Sequence, residues 1–494
     1  MKLSHKCDAL SIMFPLLVYI LCLHVSETGP LFNVVATQFS MWKYHSFGLG
    51  SVGHPVADSV PNADTFAYDG RYFDTYAPGF SLLSFPLAVV GFILDGGVLK
   101  HQGSAVLFDE LFLAVCASIA SRLIYRISLW YAEKPQSLLT SFTLAFGTAV
   151  WPFATATYNH DATLVLSLAC TYFMLRYSHG EASARSLVLA GLCLGAASLV
   201  DYLSLLFLFP LLGYLLIAAR ERGNLRIRAT RAAIFIGALF PVAVLNLVYN
   251  YTIFGSALTF PEQYWAYAPA SVHRGLLGLL GRFSLLSLVP HMIFNLFSPY
   301  RGLFLLSPVL ILGFYGLYRM GMSGEYGNDS FLFFSLFITN LLSYSAWDVW
   351  AAGGSYGPRF LIYGIPYALV PVGFLLCENR GNKCLLALFV ALFTGSSLIQ
   401  GAGAFTYAYQ PATIFYATEL KDLLVYQAIA YTFPQLFRLQ LGVWWFQAGL
   451  IVSKIVAGAI VILVFAMIWS LSTYLTFGSP NRPSLGQTVA IQPA

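Results

Sequence analysis

Two kinds of charged side chain stand where apolar runs meet polar loops, and each kind suits a definite chemistry. Glu27 follows the first apolar run, at the point where a carboxylate is placed to take a proton from a hydroxyl. Arg301 and Arg359 each sit at the mouth of an apolar run, in Ser298-Pro-Tyr-Arg301 and Tyr356-Gly-Pro-Arg359. An arginine at a membrane boundary is costly unless it meets an anion or water, and its planar fork matches phosphate oxygens. The plainer reading of Glu27 is an exposed interfacial acid, and that of Arg359 a snorkelling side chain in an aromatic turn.

Three further stretches concentrate polar chemistry. Tyr68-Asp-Gly-Arg-Tyr-Phe-Asp-Thr-Tyr76 places Asp69, Arg71 and Asp74 among Tyr68, Tyr72 and Tyr76. Aromatic faces beside carboxylates suit a sugar, which has apolar faces and many hydroxyls. An Asp–Arg pair holding a loop with belt aromatics is the alternative. Tyr158-Asn-His160-Asp161 opens another apolar run. Asp161 there suits a helix cap, and His160 suits orientation of an acid or a phosphate. Trp347-Asp-Val-Trp350 precedes the glycines Gly353, Gly354 and Gly357, which let backbone approach a ligand closely. No second His or Cys lies at ligand spacing from His160, so no metal is expected.

The elements that carry these residues are read from composition. Of 494 residues 58% are hydrophobic and 10% charged, with a mean hydropathy of +0.72 and a formal charge of +5. Soluble proteins average about 25% charged residues. The many apolar runs imply an all-α, polytopic membrane helical bundle and not a barrel. After Ala9–Val25, runs lie at 81–99, 107–125, 137–151, 161–178, 186–200, 203–219, 232–250, 302–319, 331–347, 360–377, 384–399 and 447–473. The seven Cys lie in these runs or in segments read as inside, so no disulfide framework is expected.

Arg220, Arg222, Arg226, Arg228 and Arg231 place the loop 220–231 inside. Six runs separate it from the polar segment 26–80, and an even number cannot change sides. One run therefore does not cross, and 81–99 is chosen as a juxtamembrane or re-entrant helix. Twelve crossings follow, with both termini inside. Residues 1–473 form one membrane domain, in which 26–106 is a first outer loop bearing juxtamembrane helices, and 474–494 is a short cytoplasmic tail. Inner loops are short and basic; outer loops are long and aromatic, so the work belongs on the outer face. Asp201 reads as a turn between two helices. Neither a Walker A run nor a Gly-rich dinucleotide loop is present, which speaks against ATP hydrolysis and nicotinamide chemistry.

The acid after the first span, the Tyr-Asp-Gly…Tyr-Ala-Pro-Gly…Leu-Leu…Pro run over 68–86, the outer loop ending in Asp161 and the Gly-Pro-Arg-Phe-Leu run at 357–361 resemble the GT-C superfamily over roughly 9–375. These are membrane glycosyltransferases using polyprenyl-phosphate sugars, and the chain is similar to protein O-mannosyltransferases and the lipid A aminoarabinose transferase. The resemblance implies about 12–13 transmembrane helices and inverting transfer of a hexosyl or pentosyl group at the extracytoplasmic face of a cell membrane. It implies a polyprenyl- or dolichyl-phosphate donor, a glycan, lipid or protein acceptor, no cofactor and no nucleic acid. Glu27 matches the first-loop catalytic acid, although the family more often has Asp there; Asp69 or Asp74 then stands as the alternative. Asp161 matches a second acidic position, and Arg359 a donor-phosphate contact that Arg301 would share. Tyr68, Arg71, Tyr72, Tyr76, His160 and Trp350 complete the expected substrate contacts. The rival readings are a transporter or lipid-linked sugar flippase, and a structural membrane protein. No repeat relates the two halves, which weakens the transporter reading.

Overall fold

The computed structural model describes residues 2–24, 29–57, 60, 62, 64–100, 103–155, 158–217, 225–264, 283–347, 350, 356–406, 432–438, 440, 441, 443 and 454–477. Helices dominate, as the apolar runs require. In order they are α1 (Lys2–Cys22), α2 (Gly29–Tyr44), α3 (Gly79–Leu94), α4 (Ser104–Ser128), α5 (Lys134–Phe146), α6 (Val150–Ala154), α7 (His160–Ser178), α8 (Arg185–Val200), α9 (Leu208–Ile217) and α10 (Leu225–Phe254). The later long helices are Leu285–Phe297, Leu310–Met322, Gly327–Ala346, Ile365–Glu378, Lys383–Thr406 and Lys454–Phe477. Among the described residues, four helices are long and apolar enough to cross a membrane: Ser104–Ser128, Arg226–Phe254, Lys383–Thr406 and Lys454–Phe477.

Small residues set the closest helix approaches. A Cβ on Gly313 would stand 1.9 Å from the Ala368 carbonyl oxygen, so the helices Leu310–Met322 and Ile365–Glu378 touch through backbone. Gly191 and Gly195 do the same for α8 against α10, where added Cβ atoms would meet Phe235 and Leu239 carbonyl oxygens at 2.3 and 2.9 Å. With lipid as apolar as leucine, such close packing is what holds neighbouring helices together.

The segment between α1 and α4 builds a cap at one end of the bundle. It carries two 16-residue helices, α2 and α3. At 16 residues, α3 is about 24 Å long. Gly79, at its start, lets the helix rest on the last turn of α8: a Cβ there would lie 2.3 Å from the Leu199 carbonyl carbon.

The cap also holds an element that the apolar pattern did not announce, a four-stranded antiparallel sheet. Its strands are β1 (Gly50–Ser51), β2 (His54–Pro55), β3 (Thr65–Tyr68) and β4 (Arg71–Asp74), in the order β2-β1-β4-β3. Thr65 pairs with Asp74 and Tyr68 with Arg71. The turn between them is Asp69-Gly70, with φ values of 46° and 72°. Asp-Gly with both φ positive is the two-residue turn whose twist matches paired strands.

Candidate active site

The cap, α7, α8 and the later helices converge on one cleft. It encloses about 820 Å³, part of it open to solvent, and its walls include Asp64, Tyr76, Asn159, His160, Asp201, Tyr202, Tyr344, Trp347, Arg359 and Phe360. Five separate chain segments supply these residues, so their meeting is a property of the fold and not of any one motif.

Asp64 is set by a local turn. The Asn62 side-chain oxygen accepts the Asp64 N–H at 2.9 Å, while the Thr65 hydroxyl accepts the Asn62 N–H at 2.9 Å. Side-chain hydrogen bonds of this kind replace backbone ones in tight turns. Asn33 of α2 braces the turn by donating to the Asn62 side-chain oxygen at 3.1 Å. From the other side Thr75 donates its N–H and its hydroxyl to the Asp64 carbonyl, at 3.1 and 2.8 Å. The carboxylate itself accepts no hydrogen bond from the described residues. Burial therefore pushes the Asp64 carboxyl above its ordinary range, and the Arg359 guanidinium pulls it back only in part.

Asp201 is the reverse case. It ends α8 and opens a short turn over Tyr202–Phe207, its side chain accepting the Leu203 N–H at 2.9 Å. Tyr344 donates its hydroxyl to the same carboxylate at 2.7 Å, and Tyr363 donates a second hydroxyl. Burial raises the Asp201 carboxyl, and the tyrosine hydroxyls work against that rise. Its oxygens are engaged, so Asp201 is a positioning residue: it fixes two tyrosines and the exit of α8.

Arg359 faces both acids. Gly357, at φ 57°, turns the chain into a short helical turn over Arg359–Leu361. The guanidinium lies 4.6 Å from the Tyr158 ring centroid and 4.9 Å from that of Phe360. Phe360 in turn stacks on Tyr344 at 4.5 Å, and Tyr158 on His160 at 6.1 Å. Only 9% of Arg359 is exposed. Aromatic faces accommodate a flat, weakly hydrated cation where water is scarce.

The structure divides the residues singled out from sequence. Tyr76, His160 and Arg359 line the cleft. Glu27 lies outside the described residues; the preceding chain ends at His24, whose N–H donates to the Thr155 carbonyl at 3.1 Å. Asp69 is not in the cleft. It forms the exposed tip of the β3–β4 turn, and Arg71 is exposed beside it. Tyr68 packs on Phe254 and Tyr264 and donates to the Phe254 carbonyl at 3.3 Å. Tyr72 packs with Phe32 and Leu49. Asp74 is buried beneath the cleft, accepting the Tyr76 N–H at 3.2 Å, and burial holds its carboxyl well above the usual range. Arg301 is 2% exposed, donates to the Tyr300 hydroxyl at 3.0 Å and is not among the residues lining the cleft. Trp350 stacks on His291 at 4.8 Å. Asp161 follows His160 but is fully buried inside the bundle.

The motifs do not single out Asp64, Asn159 or Tyr344, which line the cleft, and Asp201 reads from sequence as a turn between two helices. Asp201 did carry a signal, since an acid between two apolar runs is functional by default. Asp64 carried none, because its meeting with Arg359 spans nearly 300 residues of chain.

Comparison with known proteins places this geometry. Residues 102–249, under a third of the chain, match the model of the dolichyl-phosphate-mannose-protein mannosyltransferase family. That segment supplies α7 and α8, two walls of the cleft. The chain superposes on ArnT from Cupriavidus metallidurans bound to undecaprenyl phosphate with a TM-score of 0.52 at 15% identity, covering 95% of this chain and 77% of that one. The chain has the GT-C fold. The apo oligosaccharyltransferase of Archaeoglobus fulgidus shares the GT-C fold too, with a TM-score of 0.51 at 11% identity. The match covers 97% of this chain and 56% of that one, so this chain spans just over half of its length. No curated protein sequence matches.

Proposed function

We propose that the protein is an integral membrane glycosyltransferase that moves a sugar from a polyprenyl-phosphate donor to an acceptor hydroxyl at the extracytoplasmic face. One observation carries the reading: a cleft at one end of an apolar bundle brings the Asp64 carboxylate, which accepts no hydrogen bond from the described residues, together with a buried arginine between aromatic walls. The solved ArnT structure with undecaprenyl phosphate and the matched mannosyltransferase segment support the donor class.

In this reading the donor phosphate lies against Arg359, whose positive charge meets the negative charge of the leaving group. Tyr76, Tyr202 and Trp347 offer faces to the sugar. A carboxylate takes the proton of the acceptor hydroxyl. The oxygen bonds to the anomeric carbon as the bond from that carbon to the phosphate oxygen breaks, and the configuration inverts. Asp64 and Glu27 compete for the base role. Asp64 has the geometry; Glu27 has the match to the first-loop acid.

Purified, reconstituted protein incubated with a panel of labelled polyprenyl-phosphate sugars tests the function. Discharge of label with release of lipid monophosphate is expected for at least one donor. A flippase would move the intact donor across the bilayer; intact donor translocated without cleavage would replace this reading.

A further inference from the structure

At the far end of α7 from the cleft, a second cavity opens between α4 and α7. It spans about 970 Å³, part of it open to solvent, and is lined by Ile119, Arg122, Leu123, Arg126, Tyr172, Arg176 and Glu181. His160 in the cleft and Arg176 here are 16 positions apart on one helix, about 24 Å at the usual rise. The two cavities are therefore separated by nearly the thickness of a bilayer core.

Apolar and basic side chains interleave along α4 in this lining. Ile119 and Leu123 stand one turn apart on α4, and Arg122 and Arg126 one turn apart on the same face. Ile119 is 37% exposed, an apolar surface facing outward. Arg122 and Arg126 both bind Asp8 of α1, at 2.7 Å each, yet remain more than two-fifths exposed. Arg176 lies over the Tyr172 ring at 5.8 Å. Tyr172 is itself stacked on Trp130 at 5.6 Å, and Trp130 donates its indole N–H to Glu181 at 2.6 Å. Counted with Asp8 and Glu181, the three arginines leave a formal charge of +1 among these residues.

We infer that this groove binds the phosphodiester of an anionic phospholipid, with an acyl chain along Ile119 and Leu123. A basic pocket between membrane helices at headgroup depth is the setting in which such lipids are recognised. One residual positive charge matches one phosphodiester. A zwitterionic lipid would bring its ammonium group against the arginines. Inorganic phosphate would leave the apolar side chains of Ile119 and Leu123 uncovered. The site is separate from the cleft, and its test does not depend on the proposed reaction.

Native mass spectrometry of the full chain, extracted from nanodiscs of equal phosphatidylglycerol and phosphatidylcholine content, reads the retained lipid. Phosphatidylglycerol is expected to be retained over phosphatidylcholine, and Arg176→Gln to weaken that retention about tenfold or more, the loss of a charge-assisted contact. Arg176→Gln leaves both Asp8 ion pairs intact, so the variant is expected to fold. Arg319→Gln, at a paired arginine elsewhere (2.6 Å from Glu378), is expected to retain phosphatidylglycerol as wild type does. Equal retention of the two lipids, an equal loss in Arg319→Gln, or complete displacement by inorganic phosphate would overturn the inference.

Discussion

At the scale of single residues, two acids of the cleft differ in what their oxygens accept. Asp201 has its oxygens filled by Tyr344, Tyr363 and the Leu203 N–H, whereas Asp64 has none from the described residues. If Asp64 is the base, Asp64→Asn lowers the transfer rate by about 10²- to 10⁴-fold, the usual contribution of a general base. Glu27→Gln is the companion variant: whichever loses more identifies the base. Asp69→Asn serves as the control and is expected to keep near wild-type transfer, because asparagine accepts a left-handed turn as readily as aspartate does. The pH profile adds a sign. A base must be ionised, and burial holds the Asp64 carboxyl above its usual range. The acid limb of the rate should therefore fall at a higher pH than an ordinary aspartate, near 3.9, would give. An acid limb unchanged in Asp64→Asn would show that Asp64 does not set it.

Arg359 supplies the second residue-scale prediction. Lysine keeps the charge but loses the planar fork and the stacking on Tyr158 and Phe360. Donor affinity is expected to fall in Arg359→Lys and to fall further in Arg359→Ala, by about ten- to a hundredfold for a lost charge-assisted hydrogen bond. Donor titrations beside melting curves check it. A folded Arg359→Ala protein with unchanged donor affinity would remove this residue from the site.

At the scale of elements, the cleft depends on α3 resting against the end of α8. Gly79 is the contact, and an added Cβ would meet Leu199 backbone at 2.3 Å. Gly79→Ala should cost about 1–3 kcal/mol by overpacking and should also lower activity, because Asp201 lies two residues beyond the contact. Gly213→Ala, where an added Cβ meets nothing within 4 Å, should leave the melting temperature unchanged or slightly raised. Equal melting temperatures for the two variants would contradict the packing argument. The helices were legible because long apolar runs admit little else in a bilayer. The sheet was not, since strands of two to four residues leave no periodic trace. Its one local signal was Asp69-Gly70 between Tyr68 and Arg71, a hairpin turn that instead read as a cluster of catalytic side chains. Arg359 and Tyr76 were legible as unusual charge and aromatics beside apolar runs. Asp64 was not, because nothing near it in sequence tells which arginine it will face.

At the scale of the molecule, the sidedness of the bundle follows from its charge. The cap between α1 and α4 should lie outside and the basic ends of α7 and α8 inside. In a background carrying Cys384→Ser, which removes an exposed thiol, His54→Cys should react with an impermeant thiol reagent in intact cells and Arg185→Cys should not. The opposite pattern would invert the orientation. In the proposed function, the cleft bounded by Asp64, Asp201 and Arg359 holds a lipid-linked phosphate. Electron cryomicroscopy of the reconstituted protein with a polyprenyl phosphate tests it most directly. Phosphate density within hydrogen-bonding reach of the Arg359 guanidinium, with the lipid chain leaving the cleft toward the bilayer, is the predicted result. A well-defined polyprenyl phosphate bound elsewhere, with the cleft empty, would contradict it.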